Sequence, residues 1–273
     1  MAVLSERVLA IFFLTAVIHA VDTLSYSVRI SGIRTKRLAL ALSLFNIIVL
    51  VSRTANMVQA PLLGSVVDRA INTHELGPLP WVFRFIIFAA TAGSLVGAAL
   101  IPTFVNVFVR AIRHLENAGS VPRLLYHGIS RHGMRTLKES VTVPHVAQAR
   151  RHLDVGNLPR LFLILNVFIT SVYTIGVLAS IYGGVLLPAY RLTASQLSGL
   201  INGVATILYA LLVDPQAALI TDQALQNLRP ARDVTNMVVF LVLGKVTGTL
   251  LGQVLFFPAA HLVVLATRAL AAH

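Results

Sequence analysis

Long apolar runs alternate with short polar stretches along the whole chain, and six of the runs are long enough to cross a bilayer as helices. The first, about Val8 to Val28, gives roughly 30 Å of helix at 1.5 Å per residue. Ile18-His19-Ala20 offers a weak cleavage signal, but the run continues into Asp22-Thr23-Leu24-Ser25-Tyr26, so the segment is expected to stay as a span. Arg29, Arg34, Lys36 and Arg37 fill the first loop, where Gly32 is expected to break the helix. The second span runs from about Leu38 to Ala60 and is expected to stop at Pro61. Leu62 to Trp81 then reads as an extramembrane loop, with one short helix over Ser65 to Ile71 and Trp81 as an interfacial anchor.

The third span covers about Phe83 to Val109, with a kink expected at Pro102. Residues 110–160 form the longest polar segment and carry nine Lys or Arg against Glu116, Glu139 and Asp154. Leu124, Leu125, Ile129, Leu137 and Val141 suggest interfacial helices there, on the surface of an anionic leaflet. The fourth span is about Leu161 to Leu187, loosened by Gly183-Gly184, and the fifth about Ser195 to Val213. After a loop over Asp214 to Thr235, the last apolar region runs from about Asn236 to Ala269, and Pro258 is expected to kink it or end it early. The expected fold is all-α: a polytopic helical membrane protein of about six transmembrane helices, one domain over residues 1–273, with 110–160 as a basic cytoplasmic loop.

Composition agrees: 56% of residues are hydrophobic and 12% charged, which excludes a soluble domain with a solvated surface. The net charge of +12 would suggest nucleic acid, but the basic residues cluster in loops, which reads as membrane topology with no nucleic-acid partner. Loops one, three and five hold 4, 9 and 2 basic residues, against five on the other side, so both termini are expected outside. With no cysteine, disulfides and thiolate metal sites are excluded. The histidines lack ligand spacing, no phosphate-binding or nucleophile motif is present, and neither cofactor nor metal is expected.

The informative residues are the polar ones inside the apolar runs, because ionisable groups at that depth persist where they face a partner or a wet cavity. Asp22, Ser25, Tyr26 and Arg29 lie at spacings of three, four and seven, on one helical face. Ser43, Asn46, Arg53 and Asn56 fall within roughly 140° of arc on the second span, expected to aim at neighbouring helices, with Gln59 close by. Asp22 is expected in the inner third of the membrane, and Lys245 roughly 10 Å from the inner surface, which makes them natural charge partners. Arg53 is expected toward the outer half. Lys245 stands among Gly244, Gly248 and Gly252, whose face allows close helix contact within the subunit or across a homodimer.

The wording of this region, Asp-Thr-Leu-Ser-Tyr-Ser-Val-Arg-Ile-Ser-Gly-Ile-Arg-Thr from Asp22, Ser-Leu-Phe-Asn-Ile from Ser43 and Ser-Arg-Thr-Ala-Asn-Met-Val-Gln-Ala-Pro-Leu-Leu from Ser52, resembles the Amj (alternate to MurJ) family of bacterial lipid II flippases. The residues alone support a membrane protein with a polar, partly charged passage, which suits transport. The resemblance implies a substrate: lipid II, the undecaprenyl-diphosphate-linked peptidoglycan precursor, moved from the inner to the outer leaflet of the bacterial plasma membrane. The substrate passage is then expected to comprise Asp22, Ser25, Tyr26, Arg29, Asn46, Arg53, Asn56, Gln59 and Lys245. Two other readings stay open from the residues: an intramembrane enzyme using His19 and Asp22 as acid and base, and a structural protein whose charges are paired.

Overall fold

The computed structural model describes residues 5–118, 135, 138–142 and 158–271. Among them are six helical segments long and apolar enough to cross a membrane: Glu6–Thr35, Leu38–Asn72, Leu79–Leu115, Arg160–Leu186, Pro188–Leu225 and Ala231–Ala271. The described residues contain no strand. The proposed interfacial helices around Leu124, Leu125, Ile129 and Leu137 lie outside the described residues. Trp81 is exposed at the start of the third span, where an interfacial anchor belongs.

Several expected boundaries are corrected, all in the direction of longer helices. The second span continues through Pro61 to Asn72, the third through Pro102 to Ala118, and the sixth through Pro258 to Ala271. A proline removes one backbone donor, yet tertiary packing on both sides of it holds the helix together. The fifth span likewise runs on to Leu225, and the sixth begins at Ala231, so the loop expected over Asp214 to Thr235 shrinks to five residues, 226–230. Residues 110–118 belong to the third helix rather than to the basic loop.

Gly32 does not end a helix. It sits inside Ser27–Thr35, and its missing side chain lets Leu38 and Ala41 of the second span approach. The first span breaks earlier, between Leu24 and Ser27. There the backbone tightens to three-residue steps, Tyr26 N–H to Thr23 O and Val28 N–H to Ser25 O, both 3.2 Å. Hydroxyls occupy the carbonyls around the break: Ser25 donates to Asp22 O and Ser27 to Leu24 O, each at 2.5 Å. The fifth span has its own irregularity, a π turn over Tyr209–Val213 just before Pro215, where the extra residue makes room for the proline ring.

Within each half the packing follows one plan. The first span lies mainly against the third and then the second, and the fourth mainly against the sixth and then the fifth. The halves join along the third and sixth spans, where Thr91 and Thr249 share a hydrogen bond of 3.0 Å and Phe83 stacks on Phe256 at 5.4 Å. Small residues set the tightest seams. Gly93 and Gly97 of the third span press on the backbone of Ala16 and Ala20.

In the sixth span, a Cβ on Gly248 would stand 2.6 Å from Val167 O and 2.8 Å from Thr170 Cβ, both on the fourth span. The glycine face is therefore used within the subunit, not as a homodimer seam. Gly248→Leu is expected to prevent stable folding, read as loss of monodisperse protein after detergent extraction; a normal yield of active protein would mean that the seam is slack.

Candidate functional site

Asp22 is the last carboxylate before the break in the first span, and the packing brings two other helices to it. Lys245 Nζ of the sixth span lies 3.4 Å from one carboxylate oxygen, and Ser52 Oγ of the second donates to the other at 2.7 Å. The Lys245 side chain is 9% exposed, so its charge is held inside the protein; that of Asp22 is 35% exposed, so the pair is reachable from one side. His19, one turn earlier on the same helix, has a buried Nδ1 with no hydrogen-bond partner among the described residues. An ion pair of this kind is costly to desolvate, and it stands only while both charges and their hydrogen bonds are present.

The positions of the three residues along their helices coincide. Asp22 lies 13 residues before Thr35, and Lys245 and Ser52 lie 14 residues into their helices, each about 20 Å from the end near the first and fifth loops. Asp22 is thus near the middle of the helical segment Glu6–Thr35. Arg53, next to Ser52, shares that level and does not occupy an outer station above Asp22.

The polar stripe on the second span is also corrected. Ser43, Asn46, Arg53 and Asn56 are exposed rather than packed on neighbouring helices, while Ala41, Leu44, Ser52, Ala55 and Leu63 form the buried face. No hydrogen bond or ion pair among the described residues engages the Arg53 guanidinium. Gln59 turns inward instead and donates to Thr15 Oγ1 on the first span. An exposed stripe with two amides and a guanidinium suits water or a polar ligand, since hydrocarbon satisfies none of those groups.

The face of Asp22, Ser25, Tyr26 and Arg29 is split by the helix break. Ser25 is taken up in capping Asp22 O. Tyr26 and Arg29 both turn to the fifth span, where the Tyr26 and Tyr209 hydroxyls are 3.4 Å apart and Arg29 donates to Asp214 at 3.2 Å. The break in the first span therefore meets the π turn of the fifth. Elsewhere the second and fifth spans barely touch, apart from an ion pair of 3.7 Å between Asp68 and Arg191 near the second and fourth loops. Ser52, Asp214, Asp68 and Arg191 escaped as site residues, while Tyr209 falls on the polar stripe that Ser195, Ser198, Asn202 and Thr206 mark on the fifth span. Among those that escaped, only Ser52 carried a usable signal, since it falls in step with Ala41, Leu44 and Ala55 on the buried face.

Fold and site together define a six-span helical membrane protein with a charged pair in its interior, of which the Asp22 side is partly exposed. The Amj family, described as Alternate to MurJ, matches residues 14–267. A curated relative named Lipid II flippase Amj, from Bacillus subtilis (strain 168), is 39% identical over 270 residues, covering 98% of this chain and 99% of its own. The chain belongs to the Amj family. No solved structure matches it.

Proposed function

We propose that this protein is a lipid II flippase of the bacterial plasma membrane, a translocator rather than an enzyme. The whole-length kinship to a relative named for that activity carries the reading, and the charged site supplies physical means. Lipid II presents a diphosphate between a polar sugar-peptide and a polyprenyl tail. A diphosphate entering from the exposed side of Asp22 competes with its carboxylate for Lys245, while Asp22 keeps the Ser52 hydroxyl. Arg53, at the same level on the exposed flank, offers a planar fork to phosphate oxygens. Asn46 and Asn56 line that flank for the sugars, and the tail stays in lipid.

Two tests bear on this reading. The gene is expected to sustain cells depleted of their main lipid II flippase, and purified protein in liposomes to exchange lipid II between leaflets unchanged. Release of a cleaved product would replace transport by enzymology. The Lys/Arg bias of the loops supports both termini outside, with the basic segment against anionic cytoplasmic headgroups. A reporter fused after His273 is expected to be active only outside the cell; cytoplasmic activity would invert the assignment.

A further inference from the structure

The first three spans recur in the last three, about 155 residues on. Phe13-Leu14-Thr15-Ala16-Val17 is matched by Phe168-Ile169-Thr170-Ser171-Val172, and Gly93-Ser94-Leu95-Val96-Gly97 by Gly248-Thr249-Leu250-Leu251-Gly252. In the second and fifth spans, Pro61 followed by Asp68-Arg69-Ala70-Ile71-Asn72 is matched at the same spacing by Pro215 followed by Asp222-Gln223-Ala224-Leu225-Gln226. Arg37-Leu38 and Arg191-Leu192 open the same two spans, and Pro102 and Pro258 close the pattern in the third and sixth.

The packing follows the same equivalence. Each repeat sets its glycine-bearing third helix against its first helix. The two glycine-bearing helices cross antiparallel, with Thr91 on Thr249, Gln253 donating to Arg84 O at 2.8 Å and Phe83 on Phe256. Three crossings per repeat force the second copy to begin on the opposite side of the membrane. The sequence matches and the antiparallel crossing are those expected of an inverted pair, related by an axis in the membrane plane through the contact of the third and sixth spans.

An inverted repeat assigns every contact at one end of the groove between the barely touching second and fifth spans a counterpart at the other. The pair that joins the second and fifth spans here is Arg191 with Asp68, at 3.7 Å. The equivalences Arg191 to Arg37 and Asp68 to Asp222 convert it into Arg37 with Asp222, at the end near the first and fifth loops. Asp222 is exposed in this structure and accepts a hydrogen bond from Gln226 at 2.8 Å.

We infer that Asp68–Arg191 and Arg37–Asp222 are alternative clasps, and that one transport cycle exchanges them, closing one mouth of the groove as the other opens. Arg191 and Asp68 are 54% and 60% exposed, so the pair is weak enough to open in each cycle. The inference rests on the flippase reading only for what is carried.

The chain has no cysteine, so two double variants test it without background: Asp68→Cys with Arg191→Cys, and Arg37→Cys with Asp222→Cys. Both are expected to form a disulfide in native membranes. Each disulfide is expected to slow lipid II exchange at least tenfold, with recovery on reduction. Failure of the Arg37/Asp222 variant to cross-link while still active overturns the exchange, as does full activity with either disulfide formed. Spin labels at positions 72 and 192, and separately at 36 and 226, read the two mouths without altering the clasps. Two distance populations at each mouth, shifting in opposite senses when lipid II is added, are expected, and one fixed distance at both mouths is the contrary result. Cross-linking requires no substrate, so exchange without lipid II transfer would sink the substrate assignment and leave the clasps standing.

Discussion

Lys245→Met is expected to abolish rescue of flippase-depleted cells and to destabilise the protein by about 1–3 kcal/mol, because it leaves the partly exposed Asp22 carboxylate with Ser52 as its remaining partner. Asp22→Asn strands the Lys245 ammonium and is expected to do comparable damage. The double variant Asp22→Asn with Lys245→Met removes both charges, so its thermal stability in detergent is expected to return close to that of the parent while rescue stays absent. That split separates a site from a strut. Reversing the pair, Asp22→Lys with Lys245→Asp, is expected to restore part of what either reversal alone destroys. Full rescue by Lys245→Met would show that the pair serves packing and that the headgroup binds elsewhere.

Arg53→Ala carries the second large effect, on binding rather than on folding. The side chain is exposed, and no hydrogen bond or ion pair among the described residues engages it, so truncation is expected to leave thermal stability within the noise of a surface change. Loss of a charge-assisted contact to a diphosphate costs about 1.5–3 kcal/mol, or roughly 10- to 100-fold in apparent affinity for lipid II. Arg53→Lys keeps the charge but not the fork, and is expected to fall between Arg53→Ala and the parent. Binding measured on purified protein separates this from an expression defect. An Arg53→Ala protein that binds and rescues like the parent reduces Arg53 to a lipid-facing anchor.

The level of Arg53 changes the transport picture. From the sequence, Asp22 with Lys245 and Arg53 read as two stations at different depths, and a headgroup would climb from one to the other. The Ser52–Asp22 hydrogen bond sets Arg53 at the level of the pair instead. For the proposed flippase, one level for Lys245 and Arg53 suits a groove whose two mouths open in turn.

Six apolar runs, their lengths and the basic loops between them determined an all-helical membrane protein without any tertiary information. Hydrocarbon admits few chain conformations, so composition alone excludes the rest. The same physics singled out Asp22 and Lys245, since an ionisable group in an apolar run demands a partner, and these two run to similar depths. Where helices end was not determined locally. Pro61, Pro102 and Pro258 look like stops, but neighbouring helices hold the backbone through them, and the first span breaks at Ser25-Tyr26, where hydroxyls rather than a glycine take the freed carbonyls. Helical periodicity likewise grouped Asn46, Arg53 and Asn56 on one stripe, but the direction expected for it, toward neighbouring helices, is not the one it takes. Only packing decided that Ser52, one residue over, faces Asp22 and that the stripe is left open, because orientation about a helix axis is fixed by what the neighbours bury.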